Sequence, residues 1–264
     1  MRFSTSFVLA VCLAAAPAAA QSSSNPAAEP QASQAGRRQI TRPAGTTWTD
    51  RVLVSANAGW QSVSTTFDDS RTFPLYAETA RFTSDYEVKS NTAIDVGAAV
   101  RLWRGLAIGA AFTRFTDSRD IAISATLPHP FLFDRDRSVS GTAAGEREES
   151  AAHVQAVFVA PIGRRVQLAV FGGPSFFSVK QTVVTDIDYR EDFPFDEATF
   201  TRATTETESE SKVGFTVGAD VAWFFSRNVG VGGIVRFARA TVETSLGELD
   251  AGGVIAGGGL RLRF

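Results

Sequence analysis

The chain has 264 residues, and its 26 Lys and Arg stand against 28 Asp and Glu, for a formal net charge of -2. That balance excludes the basic excess or stripe that a nucleic-acid partner demands. One Cys and two His leave little for disulfide or metal chemistry, whereas 21 Phe and 22 Gly point to β structure, where aromatics are favoured and glycines mark bends and close approaches.

Residues 1–20 open with Arg2, run through an apolar stretch and close on the small residues Ala18 and Ala20. This is the layout of a cleaved secretory signal and is too short to span a membrane as a helix. Cys12 falls inside it, with Val11 where a lipoprotein signal wants a small residue, so the mature chain is expected to carry no cysteine. Residues 21–50, rich in Ser, Pro, Ala and Gln without a period, read as a solvated, disordered periplasmic linker.

Alternation begins at residue 51, and eight strands follow. In the first, Val52, Val54, Ala56, Ala58 and Trp60 share one face with Ser55, Asn57 and Gly59 opposite. The second sets Ile94, Val96, Ala98, Val100 and Leu102 against Asp95, Gly97 and Arg101, and the third sets Leu106, Ile108, Ala110 and Phe112 against Ala107, Gly109 and Thr113. In the fourth, Val154, Ala156 and Phe158 oppose His153 and Gln155; in the fifth, Val166, Leu168 and Val170 oppose Gln167, Ala169 and Phe171. The sixth opposes Val213, Phe215, Val217 and Val221 to Lys212, Thr216 and Asp220, and the seventh opposes Val229, Val231, Val235 and Phe237 to Gly232 and Arg236. The eighth, VIAGGGLRLRF, puts Val254, Ala256, Gly258, Leu260, Leu262 and Phe264 on one face and Ile255, Gly257, Gly259, Arg261 and Arg263 on the other.

Each apolar face lasts about nine to eleven residues, the length of a tilted strand crossing a bilayer core. Short turns near Trp103, Pro161 and Ser226 alternate with longer connections at Phe73–Tyr76, Pro128–Gly145 and Glu191–Ala198. The pattern predicts an all-β protein: an eight-stranded, antiparallel, closed transmembrane β-barrel over residues 51–264, with short periplasmic turns and long extracellular loops. In such a barrel the apolar face looks out at lipid and the polar face looks in.

The leader, the alternating strands, the asymmetry of turns and loops, and the terminal Leu260, Leu262 and Phe264 resemble the small outer-membrane β-barrel family that includes the OmpA transmembrane domain and OmpX-like proteins. The resemblance implies residence in the outer membrane of a Gram-negative-type bacterium as a monomer, contact with outer-membrane lipid and lipopolysaccharide, and insertion by the barrel-assembly machinery. In that family a terminal aromatic with alternating apolar residues behind it is the assembly signal, and Leu260, Leu262 and Phe264 match it.

An eight-stranded barrel is just wide enough for side chains to fill its interior. Alternation sends Asp95, Arg101, Lys212, Asp220, Arg236, Arg261 and Arg263 inward, a charge network that plugs the lumen if its members pair. Asp220 and Arg236 lie at similar distances from the Ser226 turn and are the expected pair. The alternative is a narrow channel for small solutes, gated by breaking such a pair. A lipid-modifying enzyme is the more distant alternative, since His129 has no serine nearby in sequence and His153 is followed two residues on by Gln155 rather than Ser. No catalytic residue, metal site or cofactor is therefore expected. The loop aromatics Phe73, Tyr76, Phe131, Phe133, Phe193 and Phe195 are expected to meet above the barrel mouth, as a hydrophobic cap or as an adhesin-like surface for an unidentified ligand. The acidic alternation at Glu206, Glu208 and Glu210 is expected on a strand rising above the membrane.

Overall fold

The computed structural model describes residues 49–244 and 247–264; the expected leader, and all of the expected linker except Thr49 and Asp50, lie outside the described residues. Eight strands follow in chain order: β1 Val52–Leu75, β2 Glu78–Trp103, β3 Leu106–Pro128, β4 Asp136–Ile162, β5 Val166–Glu191, β6 Ala198–Phe224, β7 Val229–Thr244 and β8 Gly247–Arg263. Each pairs with the next, and β8 returns antiparallel to β1 from Leu53 opposite Arg263 to Ser62 opposite Val254. The ring is closed, so no strand presents an unpaired edge at membrane depth.

The outer face explains why closure is needed. Ile94, Val96 and Val100 on β2, Leu106, Ile108 and Phe112 on β3, Val217 and Val221 on β6 and Leu260 on β8 are all exposed. A continuous apolar belt of this kind has no place in water. Trp60, Phe176 and Phe215 border it towards the hairpin tips, and Trp103, Trp223 and Phe225 border it at the short turns, forming the aromatic girdles of an outer-membrane barrel. The expected closed eight-stranded barrel, with its apolar face turned outward, is therefore the architecture observed.

One expectation changes. The length assigned to loops is carried by strands: β2 has 26 residues and β4 has 27, far beyond what a bilayer crossing uses. Their connections are tight, with Tyr76 and Ala77 alone between β1 and β2, residues 129–135 between β3 and β4, and residues 192–197 between β5 and β6. Most of the segment Pro128–Gly145, read as a loop, is the start of β4. Glu206, Glu208 and Glu210 lie on β6 above the belt, as expected.

Three hairpins thus rise above the membrane, while β7 and β8 are shorter, at 16 and 17 residues. The tall hairpins share their own core, in which Phe82, Tyr86, Ile121, Ile123, Leu127, Val139, Val184 and Ile187 are buried, with Phe67, Phe73, Tyr189 and Phe200 packed against them. Phe67 stacks on Tyr86 at 4.9 Å between ring centroids. Gly141 is needed here, because a Cβ at that position would lie 2.2 Å from the ring of Phe200. Phe200 can therefore bring the β5–β6 hairpin close against β4. One of the apolar cores of the protein thus sits outside the membrane.

Candidate functional site

Inside the belt the lumen is layered. Nearest the short turns lies an apolar floor of Leu53, Ala99, Val157, Val159, Phe171, Phe224 and Ile234. Above it alternation brings two arginines and two aspartates to one level. Arg261 Nε donates to Asp220 at 2.9 and 3.1 Å, and its Nη2 meets the same carboxylate. Arg261 Nη1 donates to Asn57 Oδ1 at 2.6 Å, and Asn57 Nδ2 donates onward to Asp95 Oδ1 at 2.9 Å. Asp95 Oδ2 lies 2.9 Å from Arg236 Nε, an ion pair made off the ideal hydrogen-bond direction. Arg236 Nη1 then donates to Gln155 Oε1 and Thr216 Oγ1, each at 3.2 Å, and its guanidinium lies over the Phe171 ring at 4.6 Å. Two positive and two negative charges are linked through Asn57, and all are buried, which is the condition under which low-dielectric burial is tolerated. Open space beside the network amounts to about 40 Å³, room for water molecules.

The pairing differs from the one expected. Asp220 and Arg236 belong to the same network but are not each other's partners: Arg236 takes Asp95 and Arg261 takes Asp220. The register explains the exchange. Asp220 stands opposite Ile234 and Arg236 opposite Gly218, so the two are offset along the strands, and each arginine instead reaches out to a carboxylate on another strand. Arg261 crosses β7 to do so. A Cβ on Gly232 would lie 3.0 Å from Arg261 Nε, so this glycine leaves the space the guanidinium crosses.

Three other predicted lumen charges lie outside this layer. Arg101 is half-buried at the short-turn rim of β2, where its amide donates to Arg51 O. Arg263 is also at that rim, 3.9 Å above the Phe224 ring, donating to Arg227 O and 3.6 Å from Asp50. Lys212 is at the far end, 3.2 Å from Glu243. Each lies near the end of the lumen, where its charge reaches water.

Sequence reading missed two buried groups whose partners lie partly or wholly on other strands. His153 is registered opposite Ser175, with Nδ1 2.7 Å from Ser175 Oγ and Nε2 3.1 Å from Thr113 Oγ1, which satisfies both nitrogens of a neutral imidazole. A serine therefore does stand beside this histidine, but on β5. No carboxylate orients the ring, and both residues are buried within the lumen. Higher up, Glu149 accepts from Arg147 Nε at 2.8 Å, Gln61 Nε2 at 3.1 Å and Gly252 N at 3.0 Å. Phase matching of β4 with β3 and β5 was the signal available for His153, and the two-residue spacing of Arg147 and Glu149 on one strand was the signal for Glu149.

At the tips the six predicted aromatics separate. Phe73 packs into the hairpin core, its ring 6.4 Å from Phe82. Phe131 and Phe193 each meet Phe195, at 5.6 and 6.0 Å. Phe133 is exposed. Tyr76 donates to Glu191 Oε2, and Glu191 also pairs with the buried Arg137, which donates to Pro128 O at 2.6 Å and Phe195 O at 3.1 Å. Glu191 therefore ties the tips of all three tall hairpins together. The bond to Glu191, followed by burial and the nearby negative charge, pushes the Tyr76 phenol up to about 12. Among the described residues no three His, Cys, Asp or Glu converge to hold a metal ion.

Two outcomes follow from this geometry. Arg236→Ala leaves Asp95 buried without its cation and is expected to cost about 3–5 kcal/mol, whereas Asp95→Leu with Arg236→Leu together costs far less; urea unfolding in detergent micelles measures both. For the tip, Tyr76 is held neutral above its ordinary value of 10, so its stabilising contribution is complete below pH 10 and is lost as pH rises through about 12. Phenolate absorbance against pH should show one late-titrating tyrosine that returns towards the ordinary value in Glu191→Ala.

No family model matches the sequence, and no curated protein matches it. Among solved structures, the chain is similar in fold to the attachment invasion locus protein Ail of Yersinia pestis, at 10% identity and TM-score 0.39, over 80% of this chain and 99% of Ail. The outer membrane protein OprG of Pseudomonas aeruginosa is similar at 8% identity and TM-score 0.42, over 82% and 96%. Neisserial surface protein A is similar at 13% identity and TM-score 0.38, over 81% and 97%.

Proposed function

We propose that this protein is a surface-interaction barrel: a plugged, monomeric membrane anchor that holds a rigid β-hairpin ectodomain and presents an aromatic tip to a partner outside the cell. The observation that carries this proposal is the exposure of Phe131, Phe133 and Phe193, at 73%, 76% and 85%, on tips held in place by Arg137, Glu191 and Tyr76. Mobile loops would pay ordering entropy on binding, and a pre-ordered tip avoids that cost. Exposed apolar surface grouped at one end is the signature of a recognition surface, and aromatics are enriched in such surfaces.

The channel alternative loses support from the charge layer, which joins strands across the lumen and has about 40 Å³ of open space beside it. Catalysis loses support from the position of His153 and Ser175, both buried within the lumen. Outside the belt, the proposal places lipopolysaccharide around the hairpins, and the barrel-assembly machinery as the reader of Leu260, Leu262 and Phe264, of which Leu260 and Phe264 are exposed.

The test is Phe131→Ser, Phe133→Ser and Phe193→Ser combined, assayed for attachment of expressing cells to host-cell and matrix surfaces. Adhesion should be lost while heat-modifiable gel migration, the mark of a folded barrel, is kept. Phe73→Ser should behave differently and weaken the ectodomain itself, because Phe73 packs into its core. Undiminished adhesion by the triple variant would sink the assignment of the tip.

A further inference from the structure

The hairpin tips differ from an ordinary protein-recognition surface in what they lack. Phe131, Leu132, Phe133 and Phe193 are exposed, and none of these side chains carries a hydroxyl or an N–H with which to address a partner. Tyr76, tied to the same tips, commits its hydroxyl to Glu191. Protein partners are ordinarily read through directed hydrogen bonds as well as apolar contact. Apolar groups without a polar handle gain instead by leaving water altogether. Phenylalanine and leucine gathered on one surface are the residues with which interfacial segments enter the boundary between lipid headgroups and acyl chains.

The charges at the tips decide which lipid surface fits. Residues 129–137 and 190–197 together hold six carboxylates and three arginines. Each arginine is taken: Arg135 pairs with Asp196 at 2.9 Å, Arg190 with Asp192 at 3.0 Å, and Arg137 with Glu191. Asp134, Asp136 and Glu197 remain, all exposed and without an ion pair among the described residues. The tips therefore carry excess negative charge and offer no unpaired cation, which sets them against anionic headgroups at close range.

The rings point to the opposite kind of headgroup. Phe195 is half-buried, and Phe131 and Phe193 lean on it at interplanar angles of 60° and 85°. The three rings are thus inclined to one another instead of lying flat, and inclined aromatic faces are how proteins hold a quaternary ammonium. A phosphatidylcholine bilayer presents that group outermost, with hydrocarbon beneath it. On the reading of the tips as the working surface of the protein, we infer that they dock on a second membrane whose outer leaflet is rich in choline headgroups. The Phe131, Phe193 and Phe195 corner takes the quaternary ammonium, and Leu132 and Phe133 enter the layer below. Because Arg137, Glu191 and Tyr76 hold the tips in place, insertion costs little ordering.

The test is flotation of the full chain, refolded and held in a non-ionic amphipol at low ionic strength, with vesicles of phosphatidylcholine and, separately, of phosphatidylserine. The parent should float with phosphatidylcholine and at least tenfold less with phosphatidylserine. Phe133→Ser alone should weaken partitioning about tenfold, and Phe131→Ser, Phe133→Ser and Phe193→Ser combined at least about a hundredfold, with heat-modifiable migration kept. Asp134→Asn with Glu197→Gln leaves the apolar residues in place and should erode the preference for phosphatidylcholine about tenfold. No flotation of the parent with phosphatidylcholine, stronger flotation with phosphatidylserine, or equal flotation of the triple variant would each overturn the inference. If the parent fails to float while the triple variant still loses cell adhesion, the tips remain the adhesive surface and their partner is a protein or glycan; if adhesion is also undiminished, the assignment of the tips falls with the inference.

Discussion

Arg261 is the point on which the interior depends. It has no exposed surface, it grips Asp220, and through Asn57 it reaches Asp95 and so Arg236. These contacts draw β8, β6, β1, β2 and β7 onto one level of the lumen. Closure of the ring forces this solution. Lipid requires every backbone group to be paired, pairing in a barrel turns alternate side chains inward, and eight strands leave too little room for hydrated charges. A polar interior of this width is stable only if its charges neutralise one another. The glycine at position 232, which gives Arg261 its passage across β7, is as much a part of the network as the charged residues.

The barrel half of this architecture is legible in the sequence because one rule governs it. From Val52 to Trp60 and from Val254 to Phe264 every second residue is apolar or Gly, and an apolar face towards lipid holds at every strand. Partner choice was not legible. Alternation places Asp220 and Arg236 on the same side, but their offset across β6 and β7 and the reach of each arginine decide whom they meet. His153 and Ser175 show the same gap in another form, since 22 residues separate them in sequence and 2.7 Å in space.

The ectodomain was hidden for a different reason. On β2 the inward residues are Ala80, Phe82, Tyr86 and Val88 above the membrane and Ala93, Asp95 and Ala99 within it, so the phase of alternation switches near Lys89. A register shift at that place breaks the continuous pattern, and the upper half reads as irregular loop. The apolar side also reverses its meaning there, facing lipid below the switch and a protein core above it. With the hairpins recognised, Phe73 becomes a core residue, and the remaining tip aromatics become a surface held by Glu191. The protein therefore has two storeys with opposite solvents, joined by strands that run through both.

On the proposed reading the charged layer closes the lumen. Planar-bilayer recording of the refolded chain tests it most directly. No steady conductance is expected from the parent, because the Arg261 and Arg236 layer and the apolar floor below it put paired and packed side chains across the lumen. Reproducible, steady single-channel currents from the unmodified chain would contradict it and make the lumen, rather than the tip, the working part of the molecule.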